Sequence, residues 1–318
     1  MSAAAPRGRL APSPTGLLHV GHARSFLLAW LSVRSRGGSL VLRMEDLDTS
    51  RARPELEEAC LRDLEWLGLD WDGPVVRQSE RREELLEAAL GLQERGLAYP
   101  CTCTRREVEA AAAAPHAGEE GPRYPGTCRG RYGSLEEAEA TSGRRAALRL
   151  AVPPGAVVEV EDLSLGTLRQ DVSAAVGDFP LTSRDGQVAY QLAVVVDDAR
   201  DRVDEVLRGE DLWSSTPRQA LLQELLGLPR PTWSHVPLVV DGEGRRLAKR
   251  HDDLSLARVR AAGVSAGRLV AWLAGSAGLS VDRECSPAEL LPAYAANLRP
   301  RGPIEFGAEA RKALGIPD

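Results

Sequence analysis

Two histidines three residues apart, His19 and His22, stand behind a loop that holds Pro12, Pro14, Gly16 and Gly21. Proline keeps such a loop out of regular structure, glycine lets a backbone or ligand come close, and imidazole can donate to phosphate oxygens. The stretch opens on a short apolar run at Arg9-Leu10-Ala11 and is followed by the apolar run Phe26 to Leu31, so it reads as strand, loop and helix. A helix starting near His22 would aim its unpaired N–H groups and its positive dipole end at the loop, where a phosphate binds well. On the four residues H-x-G-H alone, an ordinary turn with two surface histidines fits equally.

A second candidate is Lys249, which shares with Lys312 all the lysine in a set of 40 basic residues. An ammonium is a compact charge that can follow a phosphate through a reaction, whereas a guanidinium imposes a planar fork. Lys249 lies in Arg246-Leu247-Ala248-Lys249-Arg250, after a strand and a glycine-containing turn, and reads as a phosphate clamp or as a basic surface turn. Glu45 falls just past a buried strand, where ligands of open α/β sheets sit, and suits an ammonium or ribose contact. Arg208 ends another strand and can grip a carboxylate in bidentate fashion, and the Tyr190 hydroxyl can meet an amino group. By themselves these two also suit an interior ion pair and a core tyrosine.

Cys101, Cys103 and Cys128 supply three thiolates, and structural zinc takes four ligands. On chemistry alone His116 is the natural fourth. Five cysteines are too few for a disulfide scaffold in a chain of 318 residues, and Cys60 lies on an apolar helix stripe as a small core residue.

The elements that must position these groups follow from periodicity and breakers. Helices are expected at Ala23 to Arg36, Pro54 to Leu67, Ser79 to Arg95 and from Ser215 or Thr216 to Gly227; strands at Leu40 to Met44, Val75-Val76, Ala146 to Val152, Ala156 to Glu161, Gly166 to Val172, Val203 to Arg208 and His235 to Val240. The Arg184-Asp185-Gly186 turn should join Phe179 to Ser183 with Gln187 to Tyr190. Two βα repeats before residue 100 favour an α/β fold with a parallel sheet covered on both faces. The expected organisation is a first half of a nucleotide-binding domain over 1–100, an insertion with the cysteines over 101–180, a second half with the Lys249 loop over 181–253, and a small helical domain over 254–318.

Hydrophobic content of 43% and charge of 27% describe a globular protein, and no run approaches a membrane span. A cytoplasmic monomer is expected. The net charge of −6 argues against a uniformly basic nucleic-acid coat and leaves room for a local patch at Arg245, Arg246, Lys249 and Arg250.

The longer string R-x-A-P-S-P-T-G-x-L-H-x-G-H resembles the ATP-binding signature of class I aminoacyl-tRNA synthetases, in the form used by the glutamyl branch. Arg246 to Arg250 resembles their second signature, K-M-S-K-S, keeping Lys249 while Arg246, Leu247, Ala248 and Arg250 depart from it. The resemblance implies a Rossmann-like sheet, ATP with magnesium as substrate held by His19, His22 and Lys249, and glutamate held by Arg9, Leu10, Ala11, Pro12, Ser13, Glu45, Tyr190 and Arg208. The pattern C-x-C followed by Y-x3-C resembles the zinc-binding insertion of the branch that attaches glutamate to queuosine in the anticodon of tRNA(Asp), which implies Tyr124 as the fourth ligand beside Cys101, Cys103 and Cys128. Lys249 lies too near residue 318 for the large helical anticodon-binding domain of the glutamyl enzymes, and Val194 stands where the resemblance implies their asparagine. The expected activity is formation of glutamyl-adenylate and transfer to queuosine. Charging of a tRNA 3′ end, a nucleotidyltransferase of the same superfold and an inactive RNA-binding relative are the competing readings.

Overall fold

The computed structural model describes residues 5–111, 123–244, 254–294 and 302–316. Strand β1 (Arg7–Leu10), helix α1 (Val20–Arg34), β2 (Ser39–Met44), α2 (Pro54–Leu67), β3 (Val76–Arg77) and α3 (Arg82–Glu94) form the opening βα run. The middle of the chain gives β4 (Ala98–Cys101), α4 (Arg105–Ala111), α5 (Leu135–Ser142), β5 (Ala147–Leu150), β6 (Val157–Asp162), β7 (Gly166–Asp171) and the single turn α6 (Val172–Ala175). Then come α7 (Tyr190–Arg200), β8 (Glu205–Gly209), α8 (Thr216–Leu226), β9 (Thr232–Val236) and β10 (Val239–Asp241). Last are α9 (Leu256–Ala261), α10 (Ala266–Ser276), α11 (Pro287–Leu290), β11 (Ile304–Phe306) and α12 (Ala308–Leu314).

Strands β1, β2 and β3 pair in parallel in that order, and a second sheet has the order β7-β6-β9-β8, with β6, β9 and β8 parallel and β7 antiparallel at its edge. The two sheets meet where the Asp204 N–H donates to the Arg7 carbonyl at 2.9 Å, bringing β8 alongside β1. Strand order runs one way from β1 and the other way from β8. The carboxyl ends of these two strands therefore flank the crevice in which open α/β sheets bind their ligands. Five of the six residues of β2 are buried, as a strand covered on both faces requires.

Helix α2 has the expected bounds: Pro54 starts it, Glu55 and Glu57 complement its dipole, and Gly68 ends it at φ 76°. Cys60 is fully buried on its inner face, as expected of a small core residue. Helix α8 ends the same way, at Gly227 with φ 69°.

Four expectations need correction. Helix α1 starts at Val20 because the His19 side chain caps it, two residues ahead of His22 and three ahead of Ala23. The segment expected as a helix from Ser79 opens with a 3-10 turn over Gln78–Arg81 before the α-helix begins at Arg82. The turn at Arg184-Asp185-Gly186 closes a pairing of Thr182 with Val188, but Tyr190 begins helix α7, which periodicity had not revealed. Pro237 follows β9 and cannot donate to a ladder, so the strand expected over His235 to Val240 is two, β9 and β10.

Buried apolar residues fall into three clusters. One joins α1, β2 and α2 to α9, α10 and α12 (Leu28, Leu42, Leu64, Val259, Leu273 and Leu314). A second lies between α3, β5, β6, α7 and α8, and a small third holds Tyr99, Cys101, Tyr124, Cys128, Tyr132, Ala138 and Ala146. β11 pairs in parallel with β10, so the segment after residue 254 contributes a strand as well as helices. No described helix is long and apolar enough to cross a membrane.

Candidate active site

The phosphate-binding candidate is built by the cap of α1. His19 Nδ1 accepts from the Gly21 N–H at 3.1 Å, His22 Nδ1 accepts from the His19 N–H at 3.2 Å, and the two rings lie 3.7 Å apart. An imidazole that accepts through Nδ1 carries its proton on Nε2, so both rings have a donor on the side away from the cap. Gly21 is required by this arrangement: a Cβ there would lie 2.9 Å from His19 Cε1 and 3.0 Å from Nδ1. Ser255 pairs with His19 and the Leu256 N–H donates to Leu18 O at 2.8 Å, which fastens the start of α9 to this loop. Lys249 lies outside the described residues, as do Arg246, Ala248, Arg250 and His116.

Beside the loop is a cavity of about 340 Å³ lined by Ser13, Glu45, Gln78 and Tyr190 among others. The Pro12 carbonyl accepts from the Glu45 N–H at 2.9 Å and the Ser13 hydroxyl lies 3.5 Å from Glu45 Oε2, tying the loop to the end of β2. Leu10 is fully buried in the core, so its side chain supports the loop from behind; Ala11 is half-buried and Pro12 buried. Burial pushes the Glu45 carboxyl up, with Arg43 and Arg9 opposing. Burial also pushes the Tyr190 hydroxyl up, with Arg208 opposing and Glu45 reinforcing. Glu45 and Tyr190 both line this cavity.

Around the cavity runs a frame of buried charge. Arg43, with no exposed surface, contacts Asp198 at 2.7 Å, Asp201 at 3.3 Å and Glu45 at 3.6 Å; Arg9 lies 3.5 Å from Asp198. Desolvation works against the Arg43 charge, and Asp198, Glu45 and Asp197 outweigh it, so its affinity for the proton rises. Asp197 accepts from Gln78 at 2.8 Å and Arg81 at 2.9 Å. Arg208 is held differently: its Nε donates to His235 Nε2 at 2.9 Å and its Nη2 to Thr216 Oγ1 at 3.0 Å and Leu212 O at 3.4 Å, all neutral groups. Burial lowers its proton affinity. The frame thus presents three arginines, Arg9, Arg43 and Arg81, whose charge is met by carboxylates of the chain, and Arg208, whose hydrogen-bond partners among the described residues are neutral.

A sequence model of class I tRNA synthetases (E and Q), catalytic domain, matches residues 6–283. The chain belongs to this family. The glutamyl-Q tRNA(Asp) synthetase of Symbiobacterium thermophilum is 46% identical over 317 residues, covering 96% of this chain and 98% of that protein. The protein of the same name from Deinococcus radiodurans is 48% identical over 295 residues, covering 90% of this chain and 95% of the relative. Among solved structures, a glutamate tRNA ligase from Elizabethkingia meningosepticum superposes with a TM-score of 0.81 at 26% identity, covering 98% of this chain and 68% of that chain. A Mycobacterium tuberculosis methionyl-tRNA synthetase, TM-score 0.57 at 10% identity over 96% of this chain and 66% of that one, shares the fold alone.

In this class I synthetase the cysteines also converge. The Sγ atoms of Cys101, Cys103 and Cys128 all lie within 4.8 Å of one another, and the Tyr124 hydroxyl is 3.4 Å from both Cys101 and Cys103. A tetrahedral zinc with bonds of about 2.3 Å to sulfur sets its thiolates roughly 3.8 Å apart, so the donors fit a metal of that size. Burial would raise the Cys128 thiol, but bonds from the Tyr124 hydroxyl and the Thr102 backbone bring it down to about 7. Burial takes Cys103 up to about 11 and holds the Tyr124 proton tightly, so a cation is needed before all four donors can ionise together.

Sequence reasoning missed the frame that holds the synthetase pocket. Arg43, Asp198 and Asp201 are scattered over two elements, and the sequence pattern marks His235 only as a strand residue. The signal available was weak: a histidine opening an apolar strand, and an arginine inside the otherwise apolar run at Leu40 to Met44.

Proposed function

We propose that the chain joins L-glutamate and ATP into glutamyl-adenylate and transfers the glutamyl group to the cyclopentenediol of queuosine in the anticodon of tRNA(Asp). The observation that carries this reading is the junction at one sheet edge of a histidine-capped helix with a cavity lined by Ser13, Glu45 and Tyr190, with Arg9 and Arg208 buried near the carboxyl ends of β1 and β8. The first suits a triphosphate and the second an amino acid with two carboxylates. The names of the relatives support queuosine as acceptor. The same reading takes the chain as a cytoplasmic monomer.

In the first step a glutamate carboxylate oxygen attacks the α-phosphorus, the bond to the β-phosphate breaks, and pyrophosphate leaves. In the second, a queuosine hydroxyl attacks the acyl carbon, AMP leaves, and the hydroxyl proton is lost. Neither step needs a covalent bond to protein, so the residues act by position and charge. Arg208 takes a carboxylate, Glu45 and Tyr190 the ammonium, with Ser13 lining the same space and Arg9 assisting from the end of β1. His19 and His22 meet the phosphates, and Lys249 follows the charge that builds on the leaving pyrophosphate. The pairing of Ser255 with His19 supports that role, because it ties the chain just past the Lys249 segment to the phosphate loop. Magnesium accompanies ATP. Cys101, Cys103, Cys128 and Tyr124 hold a structural zinc, whose soft thiolate set favours that metal.

Labelled glutamate should be transferred to tRNA(Asp) that carries queuosine and not to tRNA(Asp) lacking it. The label, mapped after nuclease digestion, should lie in the anticodon. Label at the 3′ end would make the chain a glutamyl-tRNA synthetase and overturn the proposal. Lys249→Ala should cut pyrophosphate exchange by about 10²- to 10³-fold with glutamate binding retained. Metal analysis of the wild type and Cys128→Ala should find zinc in the first sample only; zinc in neither ends the metal assignment.

A further inference from the structure

Asp162, His235 and Arg208 form a continuous buried line from β6 through β9 to β8. His235, with no exposed surface, has Nδ1 2.6 Å from Asp162 Oδ2, and Arg208 Nε donates to its Nε2 at 2.9 Å. Because a guanidinium N–H can only donate, Nε2 must carry the lone pair, so Nδ1 carries the proton and gives it to Asp162. Asp162 is itself fixed: its Oδ1 accepts the N–H groups of Ser164 at 2.8 Å, Leu165 at 2.9 Å and His235 at 3.2 Å. Thr216 Oγ1 braces the same guanidinium at Nη2.

We infer that the Asp162–His235 pair is a positioning device that aims Arg208 at the substrate carboxylate by locking the imidazole in the tautomer that accepts from Arg208. The inference rests on the reading of Arg208 as a glutamate ligand. The chemistry explains why an imidazole stands there. A carboxylate placed directly on Arg208 would fix its orientation but also neutralise it, and a ligand carboxylate would then meet a spent charge. A neutral ring fixes the orientation and leaves the charge in place, while the anion that sets the tautomer stays one ring further away. Arg43 shows the other solution, with Asp198 at 2.7 Å, and it serves the frame.

Two substitutions at one position separate this role from simple packing. In His235→Gln the side-chain amide oxygen reaches the place of Nε2 and can still accept from Arg208. In His235→Asn the amide nitrogen takes the place of Nδ1, satisfies Asp162, and leaves Arg208 without its acceptor. Glutamate-dependent pyrophosphate exchange should show the KM for glutamate raised about 10- to 100-fold in His235→Asn, with the KM for ATP unchanged and the Gln variant between it and the wild type. Asp162→Asn, the same size, should behave like His235→Asn, because an amide N–H facing Nδ1 forces the proton onto Nε2 against Arg208; it carries the same test if His235→Asn does not fold. Equal KM values in the Gln and Asn variants, an Asn variant better than Gln, or a joint rise for both substrates would overturn the inference. Arg208→Ala separates the two layers. An unchanged glutamate KM there overturns the ligand role of Arg208 and this inference with it, whereas a raised KM there beside a normal one in His235→Asn overturns the inference alone.

Discussion

Arg43 in the frame beside the Glu45–Tyr190 pocket lies 2.7 Å from Asp198 and 3.3 Å from Asp201, whereas Cys103 in the cysteine segment lies 3.5 Å from Cys128 and 3.4 Å from the Tyr124 hydroxyl. Both sets are polar and largely buried, but only the first pairs opposite charges supplied by the chain. Opposite charges at contact distance stabilise each other in a low-dielectric interior, while thiols that ionise side by side repel. The pocket is therefore preorganised by the chain itself, and the cysteine segment, on the proposed reading, by the zinc it would hold. The two regions also pack separately, since the apolar neighbours of the cysteines form their own small cluster.

The largest effect should come from the charge that holds the pocket. Arg43→Met fills much of the same volume but leaves Asp198 and Asp201 facing an apolar chain. Arg9 and Arg81 still meet these carboxylates, so the loss should lie near the low end of that for a broken buried pair, about 3 kcal/mol. Urea unfolding at neutral pH checks it. A variant as stable as the wild type would mean that the frame is not held by charge, and the contrast between the regions would fall.

Gly21→Ala should come next. The added methyl displaces the His19 ring, which must then give up either the cap on the Gly21 N–H or its place above the loop. Pyrophosphate exchange should fall about 10- to 100-fold with the KM for ATP raised and the KM for glutamate unaltered. If both constants stay at wild-type values, the ring is not a phosphate ligand.

These two sites also mark what could be read without coordinates. Gly21 and the histidines announced themselves because local backbone geometry imposes residue type at fixed spacing, and the bounds of α2 were legible from Pro54 and Gly68 for the same reason. The Cys101, Cys103 and Cys128 convergence was legible because three of the five cysteines fall in one short stretch of the chain. Arg43 and His235 were not, since their meaning depends on partners 155 and 73 residues away. Helix α7 was hidden by its content: Val194, Val195 and Val196 suit a strand locally, and only burial of Asp197 and Asp198 against Arg81 and Arg43 makes the helix the better solution.

A smaller effect should follow from pH. Burial lowers the proton affinity of His235, partly opposed by Asp162 and reinforced by Arg208. Between its folded value and its ordinary 6.5 the unfolded chain binds the extra proton more readily, so this contribution to stability is complete above 6.5 and is lost as the pH falls through that window. The same proton would sit on Nε2 against the Arg208 N–H. The KM for glutamate should therefore rise in the wild type as the pH falls through the folded value of His235, which lies below 6.5, and this part of the rise should be absent in His235→Gln. Identical profiles for the two proteins would show that the ring does not titrate against Arg208.

The smallest effect on the pocket should come from the other region. If the cysteine segment alone depends on metal, stripping the holoprotein with a chelator, then removing the chelator and restoring magnesium, should loosen that segment to limited proteolysis while the KM for glutamate moves by less than about twofold. Distant sites without shared partners add independently to within that range. One polar link could carry the disturbance further: the Tyr99 hydroxyl donates to Asp178 at 2.6 Å, and the Val152 N–H donates to the other oxygen of the same carboxylate at 2.9 Å. Tyr99→Phe cuts that link and leaves the thiols in place. Chelation that raises the glutamate KM in the wild type but not in Tyr99→Phe would make the metal a distant brace of the pocket, and the division drawn between the two regions would have to move to that hydrogen bond.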